Sequence, residues 1–238
     1  VKWDDYDAAL FDLDGVLTPT ADVHMRAWDV MFNAYLATLP DQRPYTDRDY
    51  FDYVDGKPRY DGVRTFLASR GIVLPEGTPS DPADAMTVCG LGNRKNAEFA
   101  RLLSEEGVLP YPRSVMLLDF LAARGTAVAV VSSSRNAVDV LTAAGLRERF
   151  EVIVDGLVRA ETGLPGKPAP DTFLLAAERL GVSRERSVVF EDALSGVQAG
   201  RAGKFGLVVG VDRGAGAQEL TAGGADLVVH ELDELIGR

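Results

Sequence analysis

The chain has 238 residues, 46% of them hydrophobic and 26% charged, enough for a sizeable core in one large domain or two unequal ones. Its formal net charge of −11 argues against a duplex nucleic-acid binder, which needs a basic face, but not against an anionic small molecule held by a few local cations. No apolar run approaches the roughly 18 residues of a membrane span, so no membrane partner is expected. Val1–Asp5 is unlike a signal peptide. The one cysteine, Cys89, allows no intrachain disulfide and reads as a small packing residue, consistent with a cytoplasmic setting.

In chain order, the apolar runs Ala8–Phe11, Ala127–Val131, Val152–Val154, Ser187–Phe190, Gly206–Val211 and Asp226–Val229 read as buried strands. Helical faces alternate with them, one carrying Leu117, Leu118, Phe120 and Leu121, another Phe173, Ala176, Ala177 and Leu180. This alternation predicts an α/β fold, with a parallel sheet covered on both sides. Residues 21–105 differ. Trp28, Met31, Phe32, Tyr35 and Leu39 recur at helical spacing, as do Phe99, Leu102 and Leu103. The Pro/Gly-rich stretches Leu39–Pro44 and Leu74–Pro82 break the helical pieces. The expected organisation is therefore a core of residues 1–20 and 106–238 with a helical insert, 21–105, placed after the first strand.

Polar residues gather where the strands end. Ala8–Phe11 runs into Asp12-Leu13-Asp14-Gly15, Ala127–Val131 into Ser132-Ser133-Ser134-Arg135-Asn136, and Ser187–Phe190 into Glu191-Asp192; Pro165-Gly166-Lys167-Pro168 precedes a helix. Taken singly, each has an ordinary reading: a turn or helix cap for Asp-X-Asp and the serines, a solvated loop lysine for Lys167. Ligands of open α/β sheets bind outside the carboxyl ends of the strands, so the four clusters are expected to meet. Asp12, Asp14, Glu191 and Asp192 would supply hard oxygen ligands suited to Mg²⁺. Lys167 adds positive charge and Ser132 a hydroxyl. Such a set can relieve the repulsion between a carboxylate nucleophile and a phosphate ester, and a second carboxylate can move the proton of the leaving oxygen.

In this order the motifs resemble those of the haloacid-dehalogenase superfamily, over nearly the whole chain. Phe11–Thr18 is similar to its first motif, Ser132 to its second, Lys167 to its third and Glu191-Asp192 to its fourth. The resemblance implies a Rossmann-like core with an inserted α-helical cap domain. It implies Asp12 as nucleophile and Asp14 as general acid/base, with Mg²⁺ on Asp12, the Asp14 backbone carbonyl, Asp192 and nearby Glu191.

Finer matches point to the β-phosphoglucomutase branch. Thr20-Ala21-Asp22-Val23-His24 with Trp28 resembles its first cap helix, Gly56-Lys57-Pro58-Arg59 its phosphate-holding cap segment, and Arg94-Lys95-Asn96 its sugar-contacting one. Ser134-Arg135-Asn136 resembles its core Ser-Lys-Asn, with arginine where lysine is usual. The resemblance implies Thr20 as a hinge, His24 as a link between cap closure and Asp14, and Trp28, Gly56, Arg59, Lys95, Ser133, Ser134, Arg135 and Asn136 as substrate contacts. Alone, His24 and Trp28 read as packing residues, and Arg59 and Lys95 as surface charges. Pro19, Asp41–Tyr53 and a long Ala160–Gly166 loop depart from the pattern.

The expected substrate is a small sugar phosphate and the expected state a monomer. Mutase action on glucose phosphates leads, with sugar-phosphate hydrolysis as the alternative. A phosphoacceptor signalling module has no need of a cap, and a true dehalogenase no need of Mg²⁺.

Overall fold

The structure, a computed structural model, describes residues 1–237. The chain divides into two compact units, Val1–Pro19 with Val108–Arg238, and Thr20–Gly107.

The first unit is built on six strands: β1 (Ala8–Phe11), β2 (Ala127–Val131), β3 (Val152–Val154), β4 (Ser187–Glu191), β5 (Leu207–Val211) and β6 (Leu227–Val229). They form one sheet in the order β3-β2-β1-β4-β5-β6, parallel throughout. Strands buried on both faces need no polar alternation, which is why these segments are near-continuous apolar runs. Leu10, Ala129, Val189 and Val208 pack in one cluster with Phe173, Ala176 and Val197 from the helices. On the opposite side of the pleat, Phe11 stacks on Phe190 at 4.5 Å, and Trp3 lies against both Phe190 and Phe120. Expected strand limits shift by a residue: Glu191 is part of β4, while Gly206 and Asp226 precede β5 and β6.

The second unit is helical, with α1 (Thr20–Leu36), α2 (Asp47–Tyr53), α3 (Arg59–Ser69) and α4 (Val88–Glu106). The first unit's helices are α5 (Pro112–Arg124), α6 (Ala137–Ala143), α7 (Gly156–Thr162), α8 (Asp171–Leu180), α9 (Leu194–Ala202) and α10 (Ala217–Gly223). Among the described residues no helix is long and apolar enough to cross a membrane.

Three local expectations are corrected. Leu39 lies beyond the end of α1 and only its partly buried side chain joins the cluster around Phe32; Pro40 follows directly, and proline cannot continue a helix without losing a hydrogen bond. Phe120 is half-buried, at the edge of its helix's apolar stripe. The segment read as a loop over Ala160–Gly166 begins inside α7. That short helix starts at Asp155, whose carboxylate accepts from the Leu157 and Val158 amides at 3.0 and 2.9 Å, an ordinary N-cap.

The unmatched Asp41–Tyr53 segment is structural. Thr46 and Asp49 form a reciprocal capping box at the start of α2. Asp49 is buried and takes ion pairs from Arg43 at 3.1 Å and Arg70 at 2.9 Å. Tyr45 and Tyr50 pack with Trp28, Phe32 and Phe66 in the unit's core. Cys89 is buried, as a packing residue would be.

Candidate active site

Strand order reverses at β1, with β2 on one side and β4 on the other. Crevices open at the carboxyl ends of strands where such a reversal occurs, and the acidic residues follow those ends. The Asp12 amide donates to the Phe190 carbonyl at 2.9 Å, so the ladder holds the first residue past β1. Leu13, Val16 and Leu17 are fully buried, and the amides of Leu17 and Thr18 close onto the Leu13 carbonyl at 2.9 and 3.1 Å. This tight turn leaves Asp12 buried and Asp14 half-buried, two residues apart.

Asp12, Glu191 and Asp192 each offer a carboxylate oxygen, all within 4.8 Å of one another. Two glycines make the approach possible. Gly15 has φ +84°, and a Cβ there would fall 1.8 Å from Asp192 Oδ2; a Cβ on Gly196 would fall 1.9 Å from the Glu191 carboxyl carbon. Any larger residue at either position would displace an acidic side chain.

Lys167 reaches into this group from the loop before α8. It is 4% exposed, a correction to the solvated lysine that Lys-Pro alone suggests. Its ammonium donates to Asp12 Oδ1 at 2.5 Å and to the Val131 carbonyl at 2.9 Å, and lies 2.5 Å from Glu191 Oε1. Glu191 Oε1 is buried with no hydrogen bond of proper geometry. Burial raises the Asp12 carboxyl; Lys167 opposes this and Asp14 adds to it, for a pKa of about 6. Burial likewise raises Glu191, against Lys167 and with Asp12, to about 8. For Lys167, burial lowers the pKa, but Asp12 and Glu191 outweigh it and keep the ammonium charged.

One lysine thus faces a crowded group of three carboxylates. An all-oxygen set with surplus negative charge fits a hard divalent cation. The raised carboxyl values carry a consequence. The folded protein holds protons that the unfolded chain has released, so without metal these groups favour folding at low pH. That advantage is lost as pH rises, from about 4 through about 6 for Asp12 and about 8 for Glu191. A divalent cation held by these oxygens should therefore raise the melting temperature more at about pH 8 than at about pH 5.5, because fewer protons compete for them. Thermal melts with and without Mg²⁺ check this; an equal gain at both values would contradict it.

The serine-rich loop follows Val131, whose carbonyl accepts from Lys167, and is ordered by its own hydrogen bonds. The Ser132 amide donates to the Val154 carbonyl at 3.0 Å, and Ser132 Oγ accepts from the Ser134 amide at 3.0 Å. Ser134 Oγ accepts from the Asn136 amide at 3.1 Å, just before α6. Gly156 donates to the Ser134 carbonyl at 2.9 Å, and a Cβ on Gly156 would meet Arg135 and the Ser133 carbonyl at 2.8 Å. Ser133 is half-buried in the same turn.

In the helical unit, His24, Trp28 and Lys95 come together. Lys95 is 3% exposed, so it is not the surface charge it resembles in isolation. Its ammonium contacts His24 Nδ1 and lies 5.2 Å from the Trp28 ring and 4.8 Å from the Phe99 ring. His24 stacks on Phe99 at 3.9 Å. Thr20, the first residue of α1 and of the second unit, is buried. Gly56 adopts φ +68° just before α3, whose first residue is Arg59. Arg59 donates to Asn93 Oδ1 at 3.2 Å, an oxygen that also accepts from Tyr60 at 2.9 Å. The Asn93 amide nitrogen binds the carbonyls of Pro79 and Asp81 at 3.1 and 2.8 Å. Asn93 escapes a motif reading, because nothing local marks a helical asparagine as the partner of an arginine 34 positions away.

The comparisons with known proteins bear on this geometry. Residues 6–204 match the model of the haloacid dehalogenase-like hydrolases. A β-phosphoglucomutase of Mycobacterium bovis is 51% identical over 96% of this chain and 91% of its own. A fructose-1-phosphate phosphatase of Escherichia coli is 32% identical over 83% of this chain and 92% of its own. The crystal structure of a β-phosphoglucomutase from Clostridium difficile shares the fold, with TM-score 0.76, 24% identity and coverage of 97% of this chain and 93% of that one. On fold and sequence alike, the chain belongs to the haloacid dehalogenase-like hydrolases and, within them, to the β-phosphoglucomutase-like enzymes of phosphotransferase and phosphatase type.

Proposed function

We propose that this enzyme is a β-phosphoglucomutase, interconverting β-glucose 1-phosphate and glucose 6-phosphate through β-glucose 1,6-bisphosphate and a phosphorylated Asp12. The identity of 51% with a β-phosphoglucomutase, over 96% of the chain, is the observation that carries this choice. The sugar-phosphate phosphatase reading is favoured by the 32% identity with a fructose-1-phosphate phosphatase.

The residues support a two-stage transfer. A carboxylate oxygen of Asp12 attacks the phosphorus of the bisphosphate while the bond from phosphorus to the sugar oxygen breaks. That oxygen leaves with a proton from Asp14. This releases a glucose monophosphate; a β-glucose 1-phosphate then offers its 6-hydroxyl, Asp14 takes that proton, the oxygen attacks phosphorus as the bond from phosphorus to Asp12 breaks, and the bisphosphate and free Asp12 are regenerated. Lys167 holds positive charge at Asp12 Oδ1, and the Ser132 hydroxyl is the proposed donor to the transferring phosphoryl oxygens. Asp12, Glu191 and Asp192, with the Asp14 carbonyl, are the groups that would hold Mg²⁺. When bound, it offsets the repulsion between carboxylate and phosphate.

For the Thr20–Gly107 unit we assign a cap role, with Thr20 as its hinge and His24 linking the cap to proton transfer. There Arg59 would hold the substrate's second phosphate, with Gly56 giving its segment the necessary turn. Lys95 and Trp28 would contact the sugar. In the first unit Ser133, Ser134, Arg135 and Asn136 are the proposed substrate contacts. Asp14's proton-transfer role makes the mutase depend on keeping water from Asp12 between the stages, since water would take the phosphoryl group instead.

The test supplies β-glucose 1-phosphate, a trace of the bisphosphate and Mg²⁺. Glucose 6-phosphate without stoichiometric phosphate release supports the mutase; free phosphate alone supports the phosphatase and overturns it. In the same assay Arg59→Ala is expected to lower kcat/KM for the sugar phosphate about 10–100-fold, the range for losing hydrogen bonds to a charged group. Hydrolysis of a simple aryl phosphate, which has no second phosphate to hold, should be unaffected.

A further inference from the structure

The turn that carries Asp12 and Asp14 is gripped from outside by a residue that none of the family motifs contains. Arg213 lies in the loop between β5 and α10. Its Nε donates to the Gly15 carbonyl at 3.0 Å. Its two terminal nitrogens lie 3.3 and 3.4 Å from the two carboxylate oxygens of Glu231. Its guanidinium sits 4.1 Å from the centre of the Tyr111 ring. Tyr111 is tied to the same turn, since its amide donates to the Leu17 carbonyl at 2.9 Å. Ser114, one helical turn on, donates from Oγ to the Val16 carbonyl at 2.7 Å. The side chain of Arg213 is 19% exposed, too enclosed for a surface charge without a fixed place.

Gly15 is thus held on two sides. Its carbonyl takes the Arg213 hydrogen bond, and its Cα abuts Asp192 so closely that no Cβ would fit. A shift of Gly15 would be passed to Asp14, its neighbour in the chain, and would change the clearance of Asp192. Only arginine can do this: stacking on an aromatic face, facing both oxygens of one carboxylate and donating from Nε require a planar fork that lysine lacks.

We propose that Arg213 is a positioning residue of the active site, clamping the Gly15 carbonyl so that Asp14 and the Asp192–Gly15 approach keep the geometry that metal binding and proton transfer require. The inference rests on the reading of Asp12, Asp14 and Asp192 given above.

Arg213→Met and Arg213→Lys in the full chain test it, with three readouts: kcat and KM on an aryl phosphate, the Mg²⁺ dissociation constant by calorimetry, and the melting temperature. Misplacing a catalytic group by about 1 Å costs on the order of 100-fold, and losing an outer partner of a metal site about 10–100-fold in affinity. Arg213→Met is expected to lower kcat about 10–100-fold at little changed KM and to weaken Mg²⁺ binding about 10-fold, with Arg213→Lys rescuing neither fully. A folded Arg213→Met with a lower melting temperature but unchanged kcat and Mg²⁺ affinity would overturn the proposal and leave Arg213 a stability residue. Should Arg213→Met not fold, Glu231→Gln and Tyr111→Leu loosen the arginine without removing it. Unchanged kcat and Mg²⁺ affinity in both would overturn the proposal equally. Asp192→Asn separates the two levels: if it retains full Mg²⁺ binding, the underlying reading of the site fails, whereas its loss beside an indifferent Arg213→Met sinks only the clamp.

Discussion

Asp12→Asn is expected to reduce turnover of every phosphate ester by about 10⁴–10⁶-fold, the scale on which enzymes lose activity when the nucleophile is removed. Asparagine is nearly the same size, so the backbone bond from Asp12 to Phe190 and the surrounding turn should persist. The amide oxygen cannot attack phosphorus and later leave it as a carboxylate does. The variant should nonetheless fold well. A buried carboxylate whose pKa burial has pushed up to about 6 costs folding energy at neutral pH, and the amide removes that cost. Lys167 keeps Glu191 as its partner. Steady-state kinetics on a sugar phosphate and an aryl phosphate, with a melting curve, check this. Activity within tenfold of wild type would move the nucleophile elsewhere.

Lys167→Met is expected to have the largest combined effect on stability and activity. The ammonium is the charge partner of both Asp12 and Glu191, at 2.5 Å each. Its removal leaves the carboxylates of Asp12, Glu191 and Asp192 facing one another. Breaking a buried pair by deleting one partner typically costs about 3–5 kcal/mol. The apolar part of methionine can retain the packing against Phe173, over whose ring the ammonium now sits at 5.0 Å. The loss should therefore be electrostatic and dependent on pH. Without the lysine both carboxyls rise further, so folding should be lost as pH increases and partly recovered as Asp12 and Glu191 take up protons. Urea unfolding at about pH 6 and about pH 8 should show the larger deficit at the higher value. Turnover should fall about 10²–10³-fold, as when a preorganised donor to developing charge is removed. A variant equally stable at both pH values would mean that Lys167 does not hold these carboxylates together.

Much of the framework was legible before the structure because burial leaves a plain mark in sequence. Strands covered on both faces are near-continuous apolar runs, as Ala8–Phe11 and Ala127–Val131 are. The charged residues that follow them stand out for the same reason. What was not legible are properties that depend on residues far apart in the chain. Lys167 looks solvated until Asp12, 155 positions earlier, is brought to it. Arg213 sits in a glycine-rich loop that no motif marks; its hold on Gly15 spans 198 positions. Asp49 gives the Thr46 capping signal, yet its burial follows from Arg70, 21 residues on. Leu39 fits helical spacing from Trp28, but the periodicity counts apolar residues and does not weigh the proline beside it. The short helix Gly156–Thr162 has few apolar residues to show a period, and Asp155 as its cap was the available sign.

The most direct measurement of the central claim is to mix enzyme, Mg²⁺ and β-glucose 1,6-bisphosphate, quench with acid within a single turnover, and determine the mass of the peptide containing Asp12. The account predicts that this peptide gains one phosphoryl group as glucose monophosphate forms, that the gain disappears in Asp12→Asn, and that it decays when β-glucose 1-phosphate is added. Turnover at full rate with that peptide never modified, or the phosphoryl group found on a different residue, would contradict it.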